Sequence, residues 1–152
     1  MKKWQQIALG AAGTIAAMYG MIYVDVVSRA KEAYLEGEKY WNWTEHPDQR
    51  AQYLQTKLAA DEANLETKLN KKELSQDDYQ RQRELLEFAN QQQLKESTIK
   101  YSYIWYQTAA EQFSPPNSKW VQLARQKMPL AKERWKAELR AKKIPFEDYM
   151  ID

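Results

Sequence analysis

The sequence predicts an all-α membrane protein, in which a single N-terminal transmembrane helix continues into an extramembrane helical domain. Three observations predict this fold class. Residues 4–24 carry no charge, apolar residues elsewhere recur every three or four positions, and no alternating Val and Ile run bounded by turns occurs. The domain is expected to be a helical hairpin plus a C-terminal kinked helix. The predicted parts are a membrane anchor (1–24), its helical extension (25–46), a helical domain (47–143) and a C-terminal tail (144–152).

The first segment has the length and composition of a transmembrane helix. Between Lys3 and Asp25 lie 21 uncharged residues, and a helix needs about 20 to cross a bilayer core. Trp4 lies near one edge of the segment, and Tyr19 and Tyr23 lie toward the other, as interfacial aromatic residues do. A cleaved signal peptide is the alternative. No small-x-small cleavage site follows the apolar run, so an uncleaved anchor is favoured.

Small residues form a stripe along the anchor. They recur at three- and four-residue spacing, which places them on one face of a helix. Small side chains let neighbouring transmembrane helices approach closely, although Gly and Ala are also common in such helices in general. We interpret this stripe as a helix-packing face within the membrane, formed by Gly10, Gly13, Ala17 and Gly20.

The same helix is expected to continue beyond the membrane to about Trp43. The residues Val27, Ala30, Tyr34, Gly37 and Trp41 keep a helical spacing, and no helix breaker separates them from the anchor. Trp41 lies 16 residues beyond Asp25, or about 24 Å of helix, which is too far for a lipid-interface anchor. Contacts with later helices or with a partner are therefore predicted for Tyr40, Trp41 and Trp43, with Trp41 more important than Trp43.

Two further helices are predicted to form the hairpin. Pro47 suits a first helical position and begins a helix that extends to about Lys71. Ser75 and Asp78 have the spacing of a helix-capping pair. The helix that they begin is expected to run from about Gln76 toward Phe113, with a break near 95–98.

A fourth helix is predicted from Ser118, which follows the loop residues Ser-Pro-Pro-Asn, to Lys143. Pro129 lies inside it, and proline removes a backbone N–H donor and clashes with the preceding turn. We therefore expect a kink or a split near Met128.

The segment 101–113 is the richest in aromatic residues. At about 100° per residue, its rings spread around most of a helix, and such a helix is buried on several sides. The segment is expected to form the domain core or to be covered in part by a partner. A base-stacking surface is a less favoured alternative. The residues proposed for domain or partner contact here are Tyr101, Trp105 and Tyr106.

The fourth helix is strongly basic. Residues 118–143 carry a net charge of +7, whereas the rest of the chain carries −5. This asymmetry favours contact with an acidic partner surface or anionic lipid head groups, although a solvated helix face is also compatible with it. Nucleic acid is not an expected partner. The candidate contact residues are Arg125, Lys127, Lys132, Arg134, Lys136 and Arg140.

The composition excludes several kinds of chemistry. The chain has no cysteine, one histidine and only four glycines. Thiolate metal sites, haem or iron–sulfur ligation and a glycine-rich nucleotide loop are therefore not expected. We predict that the chain is not an enzyme, holds no cofactor and binds no small-molecule substrate.

The predicted function is that of a non-catalytic, single-pass accessory or structural subunit of a larger membrane protein complex, such as a respiratory or photosynthetic electron-transfer assembly. The expected partners are other subunits and membrane lipid. A membrane-anchored assembly factor or envelope scaffold with transient partners is the alternative. Lys2 and Lys3 precede the anchor and Arg29, Lys31 and Lys39 follow it, so the positive charges nearly balance across it. The short basic N-terminus favours a cytoplasmic N-terminus and an extracytoplasmic main domain, and the expected location is a bacterial inner membrane.

Overall fold

The computed structural model of the chain describes residues 3–151, and the regular structure within this range is helical. This confirms the predicted all-α class. A π-helical segment, Thr108–Gln112, follows the fourth α-helix directly, and a short 3-10 turn, Asp148–Met150, lies near the C-terminus. The α-helices are α1 (Lys3–Glu45), α2 (Pro47–Asn70), α3 (Gln76–Lys95), α4 (Thr98–Gln107) and α5 (Lys119–Ala141).

Helix α1 is a single helix of 43 residues. It contains a segment long and apolar enough to cross a membrane, with a mean hydropathy of 1.7 over 18 residues. The other described residues bury none of that segment. Beyond Asp25 the helix becomes amphipathic, and one face of it is covered.

The described residues divide into two compact units. The first contains residues 3–41 and 99–151, and the second is Asn42–Thr98. This division differs from the predicted boundaries, because the expected helical domain, 47–143, is shared between the two units. The reason lies in the small residues of α1, which let α4 and α5 pack closely against its extension.

The first unit is built on a covered stripe of small residues on α1, which consists of Ala30, Ala33 and Gly37. All three residues are buried. Helix α4 runs antiparallel to α1, since Tyr106 lies against Tyr34 and Tyr101 against Tyr40. Helix α5 runs in the same direction as α1. Its residues Trp120 and Lys127 lie beside Tyr34 and Glu38 in turn. The core between these helices is completed by Ser102, Tyr106, Val121, Ala124 and Ala131.

The C-terminal tail folds back onto α4 and α5. Ile151 is 3% exposed, and its carbonyl oxygen accepts a hydrogen bond of 2.9 Å from the Tyr103 hydroxyl. Lys136 forms an ion pair of 2.8 Å with Asp148. The tail is therefore part of the packed first unit.

In the second unit, α2 and α3 pack against each other through the buried residues Leu54, Leu65 and Tyr79. Residues 71–75 join the two helices. Lys72 has a φ of 60°, which lets its N–H bond to the carbonyl of Leu69 and closes the end of α2. At the far end of α3, the Arg50 guanidinium donates to the carbonyls of Glu96 and Gln93.

Both predicted serine caps are present. The Asp78 N–H donates to the Ser75 hydroxyl oxygen at 3.2 Å, and the Val121 N–H donates to the Ser118 hydroxyl oxygen at 3.4 Å.

The long third helix predicted from the sequence is interrupted at residues 96–97, so α3 and α4 are separate helices. The expected split near Pro129 is wrong, because α5 is continuous through it. A kink at this proline stays a prediction.

Candidate functional site

The small-residue stripe of the apolar segment is open along its length. A side-chain carbon added at Gly10, Gly13 or Gly20 would meet nothing within 4 Å. Ala17 is also exposed, and it shares a shallow concavity with Gly20 and Met21. We refer to Gly10, Gly13, Ala17 and Gly20 as the exposed stripe.

The aromatic residues near the end of α1 have separate environments. Tyr40 stacks on Tyr101 with 5.3 Å between the ring centroids. Trp41 is half-buried, and Lys127 and Arg134 lie over its ring at 4.9 and 4.2 Å. Trp43 belongs to the second unit.

Trp43 is 9% exposed, and its ring centroid lies 5.1 Å from that of Tyr53. Trp43 is therefore the more deeply buried of the two tryptophans. The greater importance of Trp41 for stability or association stays a prediction. Trp43 precedes the turn by only two residues, but the start of α2 folds back over it. The distance of a residue from a turn along the sequence does not predict whether the next helix will pack over its side chain.

A buried polar network ties the three helices of the first unit together at Glu38. The Tyr106 hydroxyl donates a 2.5 Å hydrogen bond to Oε1 of Glu38, and Nζ of Lys127 lies 3.4 Å from the same oxygen. One turn away, the Ser102 hydroxyl donates to the carbonyl oxygen of Gly37 at 3.0 Å. Ser102 and Tyr106 are both fully buried. The network fixes the rotation of α1 relative to α4 and α5.

The two buried tyrosines of this network are held in the neutral form. Burial raises the pKa of Tyr106, and the hydrogen bond to Glu38 and the charge of that carboxylate raise it further. The pKa of Tyr34 is raised by burial and then by Glu38. Since neither phenol ionises near neutral pH, both act as hydrogen-bond donors and neither is suited to act as a base.

The basic residues of α5 are engaged largely within the chain. Lys136 has a side chain only 12% exposed and bonds to Asp148 and Glu133. Arg125 donates to the Asn117 and Ser114 side chains and so fastens the loop before α5. Arg140 lies over the ring of Phe146 at 5.8 Å.

Much of the +7 charge of residues 118–143 is used in contacts within the first unit. Lys127 and Arg134 lie over Trp41, and Lys132 adds to the positive charge around Asp148. The six basic residues singled out from the sequence thus hold α5 against the rest of the first unit. The excess charge of α5 is shared between internal contacts and the surface.

An open apolar groove lies beside α1 and α4 in the first unit. Its walls include Ala33 and Leu35 of α1, Trp105 of α4 and Phe113. Leu35 is 47% exposed, and Trp105 is only half-buried. Arg29, which forms a 2.8 Å ion pair with Asp25, borders one end. The groove offers an apolar surface with polar edges, which suits a packing contact.

Among the described residues, no group of three or more His, Asp or Glu side chains is placed to hold a metal ion. The buried polar side chains described above bond to one another or to the backbone. Tyr106 and Ser102 have their hydroxyls occupied in this way. These hydrogen bonds can therefore hold α4 in a fixed position along α1.

Comparison with known protein-family models, with curated proteins and with solved structures finds no significant match.

Sequence reasoning missed two features of this site. Glu38 lies between Tyr34 and Trp41 on the covered face of α1, and a carboxylate on an inward face is a recognisable signal for a buried polar partner. The second is Asp148, the tail partner of Lys136. A short tail has no periodic pattern from which its packing can be predicted. The basic charge of α5 was the signal in the sequence that an acidic residue of the tail could pair with it.

Proposed function

We propose that the chain is a single-pass membrane protein and a non-catalytic accessory or structural subunit of a larger membrane complex. A respiratory or photosynthetic electron-transfer assembly is the kind of complex proposed. Residues 3–24 of α1 would form the anchor. The units beyond it would contact neighbouring subunits, the second of them through a hairpin of α2 and α3.

One observation carries this proposal. The apolar part of α1 is fully exposed, although the same uninterrupted helix is packed on one face from Ala30 onward. Ile7, Tyr19 and Met21 are each more than 60% exposed. Exposure of so much apolar surface to water is unfavourable by roughly 25 cal/mol per Å². Lipid and neighbouring transmembrane helices are the surroundings that remove this cost.

Two further surfaces support a role in assembly. The groove beside Leu35 and Trp105 begins just beyond the anchor. In the second unit, Leu85 and Phe88 of α3 are 65% and 59% exposed and lie one turn apart. Apolar residues exposed in neighbouring positions are typical of surfaces that contact other proteins.

The roles of the buried polar groups support a non-catalytic function. Glu38, Tyr106 and Ser102 are used to join helices, and the two tyrosines near Glu38 are held neutral. The proposed location is the inner membrane of a bacterium, with the N-terminus cytoplasmic. The basic residues at the N-terminus favour that orientation.

The test is affinity purification of the full-length chain from its native membranes in mild detergent, followed by native electrophoresis and mass spectrometry. A stable subunit is expected to co-migrate with one complex in fixed stoichiometry and to stay in the membrane after carbonate washing. Substoichiometric recovery with immature forms of a complex would favour the alternative of an assembly factor or scaffold. Complete extraction by carbonate would contradict the anchor.

A further inference from the structure

Two lysines share one tryptophan ring at the start of α5. Nζ of Lys31 on α1 lies 5.7 Å from the ring centroid of Trp120, and Nζ of Lys119 lies 5.5 Å from it. Both lysines are exposed, and neither forms an ion pair with another residue in the range 3–151. Lys127 and Lys136, further along α5, are engaged with Glu38 and Asp148.

These three residues lie at the end of the first unit nearest to the apolar segment. Lys31 is seven residues beyond Val24, a rise of about 10 Å along α1. Trp120 packs on Tyr34 at 5.8 Å, so the start of α5 lies at the same height. Side chains on a helix point back toward its N-terminus. Since α1 and α5 run in the same direction, both lysines lean toward the apolar segment.

This position matches the head-group layer of a bilayer. The layer extends roughly 5–8 Å beyond the hydrocarbon core on each side, which a lysine side chain leaning back from Lys31 can reach. Tryptophan is enriched at this depth because its ring is amphipathic. Lys31 of α1 and the start of α5 therefore present two cations and an interfacial ring to the same layer.

The local charge is positive. Residues 118–132 include no acidic residue, and the first turn of α5 exposes the positive end of its helix dipole. The acidic groups on the neighbouring elements are Asp25, Glu32, Glu36, Glu38 and Glu111. Asp25 is paired with Arg29, Glu36 with Lys39 and Glu38 with Lys127. Glu32 borders the groove. Glu111 lies on the π-helical segment.

We propose that Lys31, Lys119 and Trp120 bind the head groups of anionic phospholipids in the bilayer that α1 crosses. The inference rests on the proposed membrane anchor and adds a second contact with the same membrane. It assigns a ligand to two lysines, Lys31 of α1 and Lys119 of α5, that form no ion pair within residues 3–151. The contact would fix the rotation of α1 about its axis and hold the first unit against the membrane surface.

The experiment uses the full chain in lipid nanodiscs. Because the chain has no cysteine, Gln112→Cys introduces a single attachment site for a fluorophore. Residue 112 is exposed and lies in the π-helical segment that leads to the loop before α5. Ala137→Cys, exposed in the last third of α5, gives the distant control. Quenching by lipids that carry a spin label on the head group is measured in phosphatidylcholine and in an equimolar mixture with phosphatidylglycerol.

Quenching at residue 112 is expected to be stronger in the anionic discs at about 0.1 M salt and to weaken at about 1 M, where the Debye length is roughly 3 Å. Quenching at residue 137 should be the same in both lipids. The double variant Lys31→Glu/Lys119→Glu should abolish the difference at residue 112. Lys31→Gln/Lys119→Gln should reduce head-group contact by roughly fivefold for each lysine.

Lys142→Glu/Lys143→Glu is the matched control, because it makes the same change of charge at the opposite end of α5. It should leave the lipid dependence intact. Equal quenching in both lipids, or equal loss in the matched control, would overturn the proposal while leaving the anchor in place. A chain that fails to co-elute with the discs would overturn the anchor, and the lipid contact with it.

Discussion

Two stripes of small residues lie on α1, and within residues 3–151 only one of them is covered by other helices. The covered stripe has the same three- and four-residue spacing as the first three members of the exposed stripe, 20 residues later. In the covered stripe, a side-chain carbon added at Gly37 would lie 2.6 Å from Cε1 of Tyr106. In the exposed stripe, an added carbon at any of the three glycines meets nothing within 4 Å.

The comparison shows what small residues do on this helix where their partner is present. At Gly37 the missing side chain admits the ring of Tyr106, and the Ser102 hydroxyl reaches the Gly37 carbonyl beside it. A displacement of 20 residues turns a straight helix by about 200° relative to the start of the repeat. The exposed stripe therefore faces nearly away from α4 and α5, on the side that a neighbouring helix can approach.

The largest expected effect comes from filling the covered stripe. Gly37→Leu should destabilise the first unit by about 3 kcal/mol or more, because the new side chain must occupy the volume of the Tyr106 ring. Denaturant unfolding in detergent, followed by tryptophan fluorescence, measures the loss. Gly13→Leu is the matched control, and it should leave the free energy of unfolding of this unit unchanged. Similar values for both variants would break the comparison.

Filling the exposed stripe should act on assembly instead. Gly13→Leu/Gly20→Leu is expected to reduce retention in the native complex by about tenfold or more, since a packed helix interface tolerates added volume poorly. Membrane insertion should persist. Ala8→Leu/Ala11→Leu adds three of the four carbons per site on the opposite face of α1 and should leave retention unchanged. If the first double variant assembles as the parent does, the exposed stripe is no interface.

A smaller effect is expected from removing a polar contact beside the covered stripe. Tyr106→Phe keeps the ring and removes the donor to Glu38, so it should cost about 1–3 kcal/mol of unfolding free energy. Thermal unfolding of the full chain measures this loss. Tyr149→Phe, at a residue 72% exposed, should have no effect. A neutral Tyr106→Phe would indicate that shape alone positions α4 on α1.

The smallest effect is expected at the tail, far from either stripe. The Lys136 ammonium lowers the pKa of Asp148 through a hydrogen bond and its charge. The stability gained from this carboxylate is therefore present above its unfolded pKa of about 3.9 and is lost as the pH falls through the lower folded value. The amide chemical shift of Ile151 should accordingly change as the pH falls into the acidic range.

The same pair sets an expectation at alkaline pH. The pKa of Lys136 is raised, first by its hydrogen bond to Asp148. Its contribution is present below the unfolded pKa of about 10.4 and is lost as the pH rises through the raised folded value. Asp148→Asn should remove both transitions at Ile151. A tail signal that stays constant across the whole range in the parent chain would show that Ile151 and Tyr103 hold the tail without the ion pair.

Local signals in the sequence predicted much of the fold. The uncharged run, the helical spacing along α1 and the serine caps at Ser75 and Ser118 all report on neighbouring residues, and the structure contains the helices that they predicted. The spacing also marked Tyr34, Gly37 and Trp41 as one face of α1. It did not identify which later helix covers that face.

The features that were missed depend on contacts between distant parts of the chain. Charge counting identified α5 as basic, but it could not show that Lys127 meets Glu38 or that Lys136 meets Asp148. Likewise, a proline inside a helix predicts that the helix is weakened at that position. Whether the helix is interrupted there depends on how the residues before and after Pro129 pack. A glycine in a helix costs roughly 1 kcal/mol relative to alanine, so a glycine at position 37 of this helix is a signal of close packing in the sequence itself.

The unbroken course of α1 has a mechanical consequence. A helix without a hinge transmits rotation along its length, so the apolar segment and the first unit must turn together. Transmembrane helices tilt by about 20° on average, and the tilt follows the thickness of the bilayer. Over the 24 Å from Asp25 to Trp41, such a tilt displaces Trp41 sideways by about 8 Å. A change in membrane thickness would thus act as a torque on the folded unit, with α1 as its lever.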